Sequence, residues 1–107
     1  MEDPDLLIPP PPEESISEND FIEYMAVIRE ALLIHYEREQ VRQGLWKEYE
    51  AKDQVNSIKI KADRLSRSFE ILAHKKDPDL REQILNSMAG ELLDIINYSN
   101  FAVRQLK

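Results

Sequence analysis

Residues 72–80 read Leu72-Ala73-His74-Lys75-Lys76-Asp77-Pro78-Asp79-Leu80, and this stretch decides the fold. Asp77 is a helix N-cap type, and Pro78 suits the first helical position, where a missing amide costs nothing and a fixed φ is already helical. Lys75 and Lys76 suit the negative end of a preceding helix. One helix therefore stops and another starts within a few residues, which is the sequence of a helical hairpin. Upstream, Val55, Ile58, Ala62, Leu65, Phe69 and Leu72 recur at helical spacing, predicting a helix from about Asp53, as cap, to Lys75. Downstream, Leu80, Ile84, Leu85, Met88, Leu92, Ile95, Ile96, Ala102, Val103 and Leu106 predict a helix from Pro78 almost to Lys107.

Working outward, Ser17 caps a first helix with Glu18 and Asp20 in its positive first turn. Phe21, Tyr24, Met25, Ile28, Ala31 and Leu32 form its stripe, periodicity runs to about Gln43, and Gly44 offers a stop. Leu45 to Lys52 reads as a connector carrying Trp46 and Tyr49. The expected fold is all-α: an antiparallel, up-down-up bundle of three long helices over residues 17–107, preceded by a disordered, acidic, proline-rich N-terminal arm over residues 1–16. In that arm the run Pro9-Pro10-Pro11-Pro12 favours polyproline II and cannot enter a helix interior.

Composition narrows the function classes. The 107-residue chain has a formal charge of −7, yet residues 1–20 hold seven acids and no base, so the helical body is formally neutral. A neutral body with an acidic arm argues against direct nucleic-acid binding, which draws on a basic field. No apolar run approaches the ~20 residues of a membrane span. The chain has no cysteine, which excludes a thiol nucleophile and a zinc–thiolate cluster. A soluble, cytoplasmic domain is expected. Broad apolar faces, including Ile60 and Ile71 outside the main stripe of the second helix, predict a homo-oligomer, with a homodimer as its simplest form.

Polar residues that border the apolar stripes are the candidate site. On the first helix the stripe continues through His35, Glu39 and Arg42, either as a solvated helix end or as a polar wall facing other helices. On the third, Glu91 and Asp94 lie i, i+3 with Tyr98 on the same side, and two carboxylates so placed need a cation between them. Magnesium is one such cation. On the second, Lys61 and Arg64 repeat the i, i+3 spacing, suited to a phosphate or to carboxylates of a neighbouring helix. Up-down-up topology brings the end of the first helix, the first half of the second and the second half of the third together. Trp46 and Tyr49 lie at that same end. Acids for a metal, cations for phosphates and aromatics for a base make a nucleotide-shaped set.

Lys61-Ala62-Asp63-Arg64-Leu65-Ser66-Arg67, followed by Glu91-Leu92-Leu93-Asp94-Ile95-Ile96-Asn97-Tyr98, resembles the nucleotide modification-associated domain common in phages and bacteria. That group is similar to the MazG and dimeric dUTPase class of all-α nucleotide pyrophosphohydrolases. The resemblance covers roughly residues 45–107. It implies Glu91 and Asp94 as magnesium ligands, Lys61 and Arg64 near phosphates, and Asn97 and Tyr98 beside the base or in packing, with Trp46 as a further aromatic. The Glu-Glu-x-x-Glu motif of the MazG type has no full counterpart here. The nearest acids are Glu37 and Glu39, and Glu39 is the candidate catalytic carboxylate.

Two functions from different classes follow as expectations. The first is nucleotide binding, with magnesium-dependent hydrolysis of a nucleoside triphosphate to monophosphate and pyrophosphate. The second is a non-catalytic helical adaptor or oligomerisation module that uses its apolar faces.

Overall fold

The computed structural model describes residues 17–107; the acidic, proline-rich arm over 1–16 lies outside the described residues. Three long helices carry the fold: α1 (Glu18–Arg42), α2 (Ala51–His74) and α3 (Pro78–Leu106), with one 3-10 turn at Leu45–Glu48 between the first two. Among the described residues there is no strand, and no helix is long and apolar enough to cross a membrane.

Local chemistry sets each helix end. The Ser17 hydroxyl accepts a hydrogen bond from the Asp20 amide at 3.1 Å, satisfying one of the amides that a helix start leaves without an intrahelical partner. The Asp77 carboxylate likewise accepts from the Asp79 amide at 3.1 Å, with Pro78 in the first turn. α1 ends where Gln43 and Gly44 both turn left-handed, at φ 48° and 77°. Glycine carries no Cβ penalty there, whereas Gln43 does. α2 departs from expectation at its start. Glu50, not Asp53, is the N-cap, and Asp53 closes a reciprocal capping box by accepting from the Glu50 amide at 2.9 Å. The helix therefore begins one turn earlier than a lone Asp cap predicts.

α2 and α3 form an antiparallel hairpin whose register can be read from its cross-links. Lys61 faces Asp94, Arg64 faces Glu91, and the Leu72 carbonyl accepts from Arg81 at 2.6 Å. Arg81 also donates to the Lys75 carbonyl at 2.9 Å, so one α3 guanidinium closes the C-terminal end of α2. α1 packs chiefly on α3, and its ties come from its middle and C-terminal half. Asn97 donates from its side-chain amide to the Ala31 carbonyl at 2.9 Å in a buried setting, and the His35 ring lies 4.9 Å from that of Phe101. Ala31, the buried residue of α1, lets the two backbones approach. The chain thus runs up, down and up, with α1 and α3 ending at the same end of the bundle.

The buried apolar residues are few: Ala31, Leu65, Leu72, Met88, Leu93, Phe101 and Ala102. Three polar residues, Gln54, Asp94 and Asn97, are buried with them. On α2 the buried line is Gln54–Leu65–Leu72, rotated from the expected stripe so that Val55, Ala62 and Phe69 remain exposed.

Candidate functional site

At the end of the bundle where α1 runs into the connector, the three helices and the 3-10 turn enclose a cleft of about 390 Å³. This volume falls within the range of small-molecule sites. From α1 come His35, Arg38, Glu39 and Arg42. The connector supplies Leu45, Trp46 and Tyr49, α2 supplies Asp53, Gln54, Asn56 and Ser57, and α3 supplies Asp94, Asn97, Tyr98 and Phe101. The end of α1 is therefore a wall of the cleft, not a solvated tip.

The connector is held in place by amides. Gln54 and Gln105 both donate to the Trp46 carbonyl, at 3.1 and 3.2 Å, and Gln105 donates to the Tyr49 carbonyl at 2.6 Å. These bonds anchor a segment that makes few hydrogen bonds of its own. Trp46 stacks on Phe101 with ring centroids 4.6 Å apart and 12° between planes, and the Arg104 guanidinium lies 4.5 Å from the indole. The aromatic wall is thereby rigid before any ligand arrives.

Asp94 is the electrostatic centre. Its two oxygens take different cations from different helices, Arg38 of α1 at 2.7 Å and Lys61 of α2 at 3.1 Å. The Asp94 and Lys61 side chains are largely buried, so this pair is shielded from water and from salt, whereas Arg38 reaches solvent. Glu91 pairs more loosely with the exposed Arg64, at 3.6 Å. Asn97 borders the cleft while tying α1 to α3. Burial lowers the pKa of His35, and Arg104 works in the same direction against the opposing charge of Glu39.

The residues expected at a site separate into two groups. Glu39, Trp46, Asp94, Asn97 and Tyr98 gather in the cleft. Lys61 and Glu91 lie in an adjoining groove that shares Arg38, Arg42 and Asp94 with it, and Arg64 points to solvent beside Glu91. The guanidiniums that line the cleft are Arg38 and Arg42. The Arg42 side chain has no ion pair or hydrogen bond among the described residues, and neither has the half-buried Glu39 carboxylate. Arg38 was not a sequence candidate, although its position seven residues after Ala31 places it on the same face of α1.

Magnesium, implied by the resemblance, can be tested against this geometry. Both oxygens of Asp94 are engaged by nitrogen cations. Among the described residues no group of three His, Asp or Glu side chains gathers where a metal ion could sit. As placed, the set does not fit a magnesium held by protein carboxylates alone. Magnesium that arrives on phosphate oxygens needs only one or two protein carboxylates.

No protein-family model, curated protein or solved structure matches this chain.

Proposed function

We propose that the cleft binds a nucleotide, in the cytoplasm where free nucleotides are held, and that the protein belongs functionally with the all-α nucleotide pyrophosphohydrolases. One observation carries the reading. In a space of about 390 Å³ the fold gathers two guanidiniums, Arg38 and Arg42, with an aromatic wall of Trp46, Tyr49 and Tyr98 and the amides of Asn56 and Asn97. Guanidiniums match phosphate oxygens in a bidentate way. Aromatic faces and side-chain amides are what a heterocyclic base requires for stacking and for its hydrogen-bonding edge. Glu39 carries a carboxylate without a protein cation partner in that cleft, and is placed to take a proton from an attacking water. In this reading Asp94 acts mainly by holding Arg38 and Lys61 in position.

Calorimetric titration with deoxynucleoside mono-, di- and triphosphates, with and without magnesium, tests the proposal. Trp46, the sole tryptophan, supplies a fluorescence signal from within the cleft. Binding is expected to tighten with added phosphates and to weaken at least about 10-fold in Arg42→Ala, the loss of one charge-assisted contact. Pyrophosphate release that Glu39→Gln abolishes without loss of binding would assign the hydrolysis. Absence of heat, of fluorescence change and of pyrophosphate release with every nucleotide would remove the reading and leave the adaptor alternative, which the bare apolar face of α2 and α3 favours.

A further inference from the structure

Where the resemblance puts a magnesium ligand, at Asp94, the structure puts two side-chain cations. Arg38 of α1 takes Oδ1 at 2.7 Å and Lys61 of α2 takes Oδ2 at 3.1 Å. Each oxygen of the carboxylate therefore already faces a positive charge, and the two charges come from different helices. Glu91, one turn earlier on α3, has a cation of its own in Arg64 at 3.6 Å. Three cationic side chains thus meet two carboxylates in one network.

A divalent ion has poor access to such a network. Magnesium approaches carboxylate oxygens to about 2.0–2.1 Å, so ligation by Asp94 requires that Arg38 or Lys61 withdraw. Either withdrawal leaves the ion sharing one carboxylate with the cation that stays. Lys61 is the harder of the two to move. Its side chain is only 16% exposed, and an ammonium so enclosed depends on its carboxylate to offset lost hydration. Withdrawn, it would stand beside a doubly charged ion with little water to weaken the repulsion. Arg38 is placed differently. Its side chain is 41% exposed, and among the described residues it is tied to Asp94 through Nη1 alone. The rest of its fork stays available, and Arg38, like Arg42, lines both the cleft and the adjoining groove. A guanidinium held at one edge by a carboxylate is oriented in advance for phosphate oxygens at the other.

We propose that Arg38 and Lys61 stand in for a metal at Asp94, and that the cleft takes up its phosphate-bearing ligand as the free anion, not as a magnesium complex. The identity of that ligand rests on the nucleotide reading above; the source of the positive charge that receives it is the new element. Arg38 and Arg42 meet the phosphate oxygens. Lys61 is a positioning residue. By neutralising Asp94 it keeps a bare carboxylate from repelling an anion at the cleft wall, and it leaves Arg38 free to share its charge with the ligand. Asp94 in turn aims Arg38, so the three side chains act as one unit drawn from three helices.

Affinities of the full chain for deoxynucleoside mono- and triphosphates, read from Trp46 fluorescence in magnesium and in EDTA, test this. The natural sequence should bind each nucleotide no more tightly in magnesium than in EDTA. Lys61→Gln should weaken binding in EDTA at least about 10-fold and recover it in magnesium, because the Asp94 oxygen that lysine vacates is then open to the ion. A purely structural role for Lys61 would not produce that rescue, and loss without rescue would overturn the role given to it. Circular dichroism reports whether the variant folds. If it does not, the natural sequence decides alone, through the two buffers and through manganese, a paramagnetic stand-in for magnesium. Manganese should leave the amide NMR signals of residues 91–98 sharp; uptake by the seven acids of residues 1–20 is told apart by its position. Nucleotide binding at least about 10-fold tighter in magnesium, or manganese broadening centred on Asp94, would overturn the proposal. Absence of binding in both buffers would remove the nucleotide reading and the ligand named here with it. The manganese spectrum needs no nucleotide and would still decide whether Asp94 is closed to a metal.

Discussion

On the side of the α2–α3 hairpin that α1 covers, the packing is polar at its centre. Asp94 holds Arg38 and Lys61 from two other helices, and Asn97 donates to the Ala31 carbonyl. On the reverse side, the same two helices present Phe69, Leu85 and Leu92 to the surface with no charge among them. The usual distribution, apolar residues inward and ions outward, is partly inverted. A fold that places an ion network inside and leaves leucines outside gains orientation from the first and keeps apolar surface in water at the second. Directional bonds permit one placement of α1, because both oxygens of Asp94 and the amide of Asn97 have defined partners. An apolar strip is indifferent to small shifts but favours any arrangement that removes it from water.

The contrast can be broken most forcefully at Asp94. Asp94→Ala leaves Arg38 and Lys61 facing each other across a poorly hydrated space. It should cost about 2–3 kcal/mol, below the full range for a broken buried pair because Arg38 reaches solvent. Thermal denaturation should show a drop of roughly 10 °C or more for a body of this size. An unchanged melting temperature would mean that the network does not hold α1. Asn97→Ala removes one buried cross-helix hydrogen bond, and a loss of about 1–2 kcal/mol is expected in chemical denaturation. α1 should loosen first, visible as faster amide exchange around Ala31 than in α2.

The smallest effect is a pH dependence. The pKa of His35 lies below 6.5 in the folded protein because burial disfavours its charged form, while the unfolded chain takes up that proton near 6.5. The unfolded state then binds more protons as pH falls through this window, so stability decreases from about pH 7 downward until the folded histidine also protonates. Melting temperatures between pH 7.5 and 5.5 should fall more steeply in the natural sequence than in His35→Gln. Identical slopes would place His35 in a more solvated position than its tilted ring contact with Phe101 implies.

The bundle was legible because its punctuation is local. Ser17 and Asp77-Pro78 act on amides within three residues, and no tertiary contact is needed to recognise them. Glu50 was missed because glutamate is an uncommon cap, and its bonding to Asp53 is reciprocal and only evident when both residues are placed. The face of α2 was misjudged for a different reason. The expected stripe is right at Leu65 and Leu72, which are buried, and wrong at Val55, Ala62 and Phe69, which stay exposed. Gln54 is buried and Lys61 turns inward instead, because their partners are the Trp46 carbonyl across the connector and Asp94 on α3, which hydrophobic periodicity does not register.

Sequence by itself determined three helices, their ends except the start of α2, the up-down-up order and the end of the bundle where the candidate residues collect, because capping and helical period are short-range effects. Only tertiary structure decided what each charge faces. It paired Lys61 and Arg64 with Asp94 and Glu91, placed Arg38 and Arg42 on the cleft, and left Phe69 and Leu92 outside. The physical reason is that a side chain's partner depends on helix rotation. A turn of a few tens of degrees, which the apolar pattern of α2 leaves open, exchanges a core residue for a surface one.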